Sequence, residues 1–163
     1  MKALIIVDVQ NDFMPTGALP VPNGDEVVPA INAEMKNNYD LIVATQDWHP
    51  ANHKSFASNH QGKKPFEVIK LGGIDQILWT DHCVQGSFGA ELHKDLDIAP
   101  IAAVFRKGMN PKVDSYSAFF DNNKQNPTGL HGYLQEKGIT ELVICGLAGD
   151  YCVAYSAEDD RNL

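Results

Sequence analysis

Four short runs of apolar, largely β-branched residues set the terms for the fold. Ala3-Leu4-Ile5-Ile6-Val7 is continuous, with no polar alternation, and fits a strand buried on both faces, as in a parallel sheet. Leu41-Ile42-Val43-Ala44, Ile101-Ala102-Ala103-Val104-Phe105 and Leu142-Val143-Ile144-Cys145 repeat the pattern. Between the first two lies the turn signal Pro22-Asn23-Gly24. Asp25 is placed to cap a helix over 26–37, where Val27, Ile31 and Met35 recur at helical spacing. A second helix is expected over 128–137, closed by Gly138 in the left-handed region. Strands alternating with helices imply an α/β chain with a central, mostly parallel sheet of Rossmann type.

The stretch 47–100 breaks this rhythm, being rich in Gly, His and Asn, with a short helix expected near 90–95. So long a connection in a compact domain is usually functional. The 163 residues suit one domain, and no repeat or linker divides them. Net charge is −8 without any run of Lys or Arg, which argues against a nucleic-acid partner and for a small substrate. Three cysteines without paired spacing do not make a disulfide framework and fit a reducing compartment. The N-terminal apolar run is too short for a signal peptide or membrane span, so a cytoplasmic protein is expected.

In open parallel sheets, ligands bind beyond the carboxyl ends of the strands. Those ends carry Asp8, then Asp47-Trp48-His49, then Arg106-Lys107, then Gly146 leading to Cys152. Cys152 is expected at the start of a final helix over 151–163, where the helix dipole would favour the thiolate. It reads equally as a small buried hydrophobe, as Cys145 does inside its strand. Asp8, after five apolar residues, is expected to be buried, with a raised pKa that lets it trade protons with a thiol. Lys107 could then hold that carboxylate ionised; alone it reads as a solvated lysine before a glycine turn. Asp47 and His49, at i and i+2 on an extended segment, point the same way and can share an ion. His82 is a third candidate ligand, with His53, His60 and His93 behind it.

Taken together these residues resemble the nicotinamidase (pyrazinamidase) branch of the isochorismatase-like cysteine hydrolases. The motifs that carry the resemblance are Ile5-Ile6-Val7-Asp8-Val9-Gln10-Asn11-Asp12-Phe13 and Thr45-Gln46-Asp47-Trp48-His49-Pro50. After them come Leu78-Trp79-Thr80-Asp81-His82-Cys83-Val84-Gln85-Gly86, Phe105-Arg106-Lys107-Gly108 and Gly146-Leu147-Ala148-Gly149-Asp150-Tyr151-Cys152-Val153. The resemblance implies a three-layer α/β sandwich and a catalytic triad of Asp8, Lys107 and Cys152. It implies a divalent metal on Asp47, His49 and His82, zinc first, with iron or manganese as alternatives. It implies a cis peptide between Leu147 and Ala148, and an oxyanion hole from the Ala148 and Cys152 N–H groups. Phe13, Trp79 and Tyr116 match the aromatic walls of a pyridine pocket, although each also reads as ordinary core.

The implied activity is hydrolysis of nicotinamide to nicotinate and ammonia through a cysteine thioester, a step of NAD salvage, with pyrazinamide also accepted. Two departures stand out. Gly149 sits where the family often has Thr or another larger residue, which predicts a looser loop. The chain stops eleven residues after Cys152, where the family continues with a strand and helix. A domain over 1–163 that is C-terminally short and lacks its last strand is therefore expected. The competing readings are a relative acting on a carbamoyl or ureido substrate, or an inactive truncated product. Relatives of the first kind do not need the Asp-x-His and His-Cys motifs, and this chain has both. A small amide is the expected partner, without nucleic acid or membrane, and a homo-oligomer stays open.

Overall fold

The computed structural model describes residues 1–161. Its core is a four-stranded parallel sheet ordered β5-β2-β1-β6. The strands are β1 (Lys2–Val7), β2 (Leu41–Asp47), β5 (Ala103–Lys107) and β6 (Glu141–Gly146). β3 (Val68–Leu71) and β4 (Ile74–Ile77) form a separate antiparallel hairpin in the long connection. The helices are α1 (Val27–Glu34), α2 (Leu130–Glu136) and α3 (Ala154–Asp160).

The central strand β1 explains why its sequence is apolar throughout. Leu4 and Ile6 pack with Val28 and Ile31 of α1 on one face. Ala3, Ile5 and Val7 pack with Leu130 and Leu134 of α2 on the other. All five are fully buried, each contributing roughly 1.5–3 kcal/mol if it is as large as Val or Ile. The result is the expected three-layer α/β sandwich. Gly138 has φ +67° beyond α2, as its position predicts.

Several boundaries differ from expectation. β2 runs on to Asp47, and the strand expected over 101–105 lies over Ala103–Lys107. Both extensions carry charged residues whose partners sit across the sheet, so an apolar pattern ends too early. Asp25 does not cap α1; it lies in a 3-10 turn, Gly24–Glu26, and α1 stops at Glu34. The helix expected near 90–95 is a 3-10 turn, Phe88–Ala90, after which the chain is extended. There Leu92 bridges Gln10, and the His93 N–H donates to Val9 O, which fixes the backbone away from helix. The final helix begins at Ala154 rather than 151, after a π-helical turn, Gly149–Val153, that holds Cys152; residues 162 and 163 lie outside the described residues. Among the described residues no helix is long and apolar enough to cross a membrane.

Candidate active site

Parallel pairing brings the strand ends to one rim. Asp47 and Lys107 are Cα partners at the ends of β2 and β5. Asp8 follows β1 directly, with φ +50°, a left-handed turn that carries its side chain off the strand. Gly146 ends β6 at φ +123°, and a Cβ there would meet Val7 O at 2.1 Å. Only glycine lets β6 pass so close to β1 before the chain rises to Cys152.

The rim is organised around the Lys107 ammonium. Its Nζ lies 2.8 Å from Asp8 Oδ2 and 2.5 Å from Asp47 Oδ1. It donates to Ser115 O at 2.9 Å and approaches Cys152 Sγ at 3.4 Å. Asp8 Oδ1 accepts from the Thr45 hydroxyl at 2.7 Å, whereas Oδ2 has the ammonium beside it without a well-aligned hydrogen bond. Asp8, Thr45, Asp47, Lys107 and Cys152 are all buried.

Burial sets the resting charges. It pushes the Cys152 thiol well above its usual range; the charge of Lys107 opposes this, and those of Asp8 and Asp47 add to it. The expected helix-dipole depression is therefore overruled: Cys152 sits in the turn before α3, and desolvation outweighs everything else. Burial also raises Asp8, against Lys107. For Lys107 burial favours the neutral amine, but Asp47 and Asp8 together hold it well above its ordinary value. Asp47 is desolvated too, yet Lys107 and His49 keep it below the usual carboxylate range. A neutral thiol, an ammonium and two carboxylates, one of them easily protonated, form a group through which protons can move.

Asp47, His49 and His82, all buried, bring their ligand atoms within 4.8 Å of one another. Their surroundings fit a metal ion. His49 Nε2 is committed to Asp114 Oδ1 at 3.0 Å, and Nδ1 is buried without a partner, a ring nitrogen free to ligate. His82 Nδ1 bonds Thr80 O at 2.8 Å, leaving Nε2, 3.8 Å from Asp47 Oδ2. Outer partners of this kind orient metal-binding imidazoles. One carboxylate and two imidazoles suit a borderline divalent ion.

The neighbouring group His49, His53 and Asp114 is as tight. His53 accepts the Ser55 N–H on Nδ1 and leaves Nε2 buried without a partner, and burial pushes its pKa down to about 4, which favours the neutral imidazole. His60 and His93 belong to none of these groups among the described residues.

Beside Cys152 opens a cavity of about 210 Å³. Phe13, Trp79, Tyr116, Ala148, Asp47 and His82 are among its walls, so the expected aromatic residues, two of the three expected metal ligands and the expected nucleophile meet there. Trp79 Nε1 donates to Tyr116 Oη at 3.2 Å, as does Gln76 Nε2 at 2.9 Å, which fixes two walls. Tyr151 packs edge-on to Trp79 at 5.1 Å and lines the same space. The Leu147–Ala148 peptide is cis. A Cβ on Gly149 would meet nothing within 4 Å, so the larger residue expected there is not sterically barred.

Sequence reasoning missed Thr45, Asp114, Tyr151 and the loop 19–22 that closes one side of the cavity. Asp114 and Tyr151 lie within two residues of residues that were singled out, a proximity that could have flagged them. Thr45, two residues before Asp47, could have been flagged in the same way.

A parallel α/β sheet whose strand ends gather an ammonium and two carboxylates beside a thiol that opens onto a small aromatic cavity is the architecture of an α/β enzyme. The chain belongs to the isochorismatase domain family, whose model matches residues 2–163. It is 52% identical to a nicotinamidase of Acinetobacter baylyi, over 96% of this chain and 73% of that protein. It is 50% identical to a nicotinamidase of Escherichia coli, over 99% and 77%.

Solved structures agree. A nicotinamidase/pyrazinamidase of Acinetobacter baumanii superposes with TM-score 0.94 at 48% identity, covering 97% of this chain and 76% of that one. The yeast nicotinamidase bound to the inhibitor nicotinaldehyde gives 0.95 at 34%, over 99% and 82%. A Pyrococcus horikoshii pyrazinamidase in complex with zinc gives 0.77 at 38%, over 99% and 78%.

Proposed function

We propose that this chain is a nicotinamidase, hydrolysing nicotinamide to nicotinate and ammonia, with Cys152 as nucleophile and pyrazinamide as a second substrate. The observation that carries this reading is the grouping of Asp8 and Lys107 with Cys152, which opens onto an aromatic cavity also lined by the candidate metal ligands Asp47 and His82. The names of the relatives point to the same amide. In cells the reaction would serve NAD salvage, in the cytoplasm.

Asp8 takes the Cys152 proton, and Lys107 balances the charge that develops on sulfur. The thiolate attacks the carboxamide carbon, and the N–H groups of Ala148 and Cys152 stabilise the oxyanion. Asp8 returns the proton to the departing nitrogen, which leaves as ammonia. A water activated by Asp8 then hydrolyses the thioester. Phe13, Trp79 and Tyr116 sandwich the flat ring and exclude water. Asp47, His49 and His82 would hold the ion, zinc by its donor set and by the zinc-bound relative. When bound, the ion supplies a Lewis-acidic position for the ring nitrogen, which orients the amide.

The test is ammonia release from nicotinamide by the purified protein, with and without chelator. Wild type should turn over, chelation should weaken it, and Cys152→Ala should release no ammonia while still binding nicotinate. Full turnover by Cys152→Ala would remove the nucleophile from the reading.

A further inference from the structure

Asp8 presents two chemically equivalent oxygens to a site in which only one can be useful. Oδ2 faces the Lys107 ammonium at 2.8 Å, and Lys107 in turn touches Cys152 Sγ at 3.4 Å. A carboxylate oxygen of Asp8 and the sulfur lie within 4.8 Å of each other. Oδ1 points instead to β2, where the Thr45 hydroxyl lies at 2.7 Å. An ionised carboxylate can only accept, so the hydroxyl donates. Asp8 and Thr45 are both fully buried, so this hydrogen bond is shielded from bulk water.

We propose that Thr45 is a positioning residue that directs the shuttled proton of Asp8 to Oδ2. The inference rests on the nicotinamidase reading above. While Thr45 donates to Oδ1, a proton arriving from Cys152 has Oδ2 as its place. In acylation the S–H bond breaks and an O–H bond forms on Oδ2, while sulfur bonds to the amide carbon. The C–N bond then breaks, and the Oδ2 proton passes to nitrogen, so that –NH₂ departs as NH₃. Without Thr45 the proton can settle on Oδ1, the side of the carboxylate away from Lys107. The carboxyl is then held only at Oδ2, by the Lys107 ammonium, since no other hydrogen bond holds Oδ1 among the described contacts.

The test compares two leaving groups. Nicotinamide needs a proton delivered to its nitrogen, whereas a 4-nitrophenyl ester of nicotinate loses a stable phenolate and needs none. Thr45→Val keeps the branched shape and removes the hydroxyl. Its kcat on nicotinamide should fall roughly ten- to a hundred-fold, the scale of a hydrogen bond to a charged group. Its ester hydrolysis should fall by less than about three-fold, and KM should hardly move. Thr45→Ser, which restores the donor, should return amide turnover to within about three-fold of wild type. Thr45→Ala, read by the same amide-to-ester ratio, covers the case in which the valine variant does not fold.

An unchanged ratio in a folded variant, or a serine variant as poor as valine, would overturn the proposal. Absence of ammonia release by wild type would instead overturn the nicotinamidase reading, so the two failures are distinct.

Discussion

Replacing Lys107 by Met should cost this protein as much stability as a severe core truncation, and the loss should depend on pH. The Lys107 side chain is fully buried, and its ammonium lies 2.8 Å from one buried carboxylate and 2.5 Å from another. At an effective dielectric of about 20, each attraction is worth about 6 kcal/mol. Against this stands the cost of burying the ammonium, several kcal/mol, which the variant no longer bears. The remainder should fall in the range of about 3–5 kcal/mol seen when one partner of a buried ion pair is removed. The variant has one escape. Asp8 is already raised by burial, and without Lys107 it rises further and takes up a proton in the folded state. The folded protein then binds more protons than the unfolded chain, so stability falls as pH rises from the unfolded carboxylate pKa through the folded one. Urea unfolding of metal-free protein should therefore show a smaller loss at about pH 5.5 than at about pH 8. A loss below about 1 kcal/mol at the higher pH, or equal losses at both, would refute the view that Lys107 neutralises the pair.

Other residues give independent tests. His82→Ala should lower zinc affinity at least 10–100-fold, the range for losing even an outer partner, measured as metal retained per chain after dialysis; undiminished retention would take His82 out of the ion's shell. Gly108→Ala would force a Cβ to within 2.8 Å of His49 Nε2 at a φ of +68°. It should destabilise by about 1–3 kcal/mol and weaken metal binding together, since the imidazole must move. Gly149→Thr has open space, and fewer unfolded conformations should raise stability by about 0.4–1 kcal/mol, seen as a higher melting temperature; a lower one would show that the loop needs glycine.

The fold was legible because burial on both faces demands continuous apolar strands, and β1 and β2 obey; β6 keeps the same apolar run as a half-buried edge strand. What apolar patterning cannot show is where a strand ends when its last residues are charged. Asp47 and Lys107 neutralise each other across the β2–β5 pairing, so the strands run through them. Motif order marked the candidate nucleophile, its lysine, the aromatic walls and the three candidate ligands, and the cavity brings together all but Lys107 and His49, which stand behind its wall. Thr45 and Asp114 stayed hidden for another reason. Each meets its partner in the site far away in the chain, 37 positions for Thr45 and 65 for Asp114. The type of a polar residue does not say which distant group it will meet until the fold places that partner. The Cys152 environment was misjudged because a helix start suggests an electropositive site, while the actual burial belongs to the tertiary fold.

Sheet register and site geometry are here one property. The pairing Val43↔Ala103 through Asp47↔Lys107 sets the ammonium beside the carboxylate, and Lys2↔Glu141 through Val7↔Gly146 sets Asp8 beside the chain that climbs to Cys152. Slipping β5 by one residue would turn Lys107 to the opposite face and bring Arg106 toward the carboxylates instead. Arg106 now stacks on Trp48 at 3.8 Å and donates to Gln46, so the slip would strand two charges at once. The buried ion pairs of the candidate site therefore also penalise the wrong register, and that is a physical reason for placing such charges at strand ends rather than in the loops beyond them.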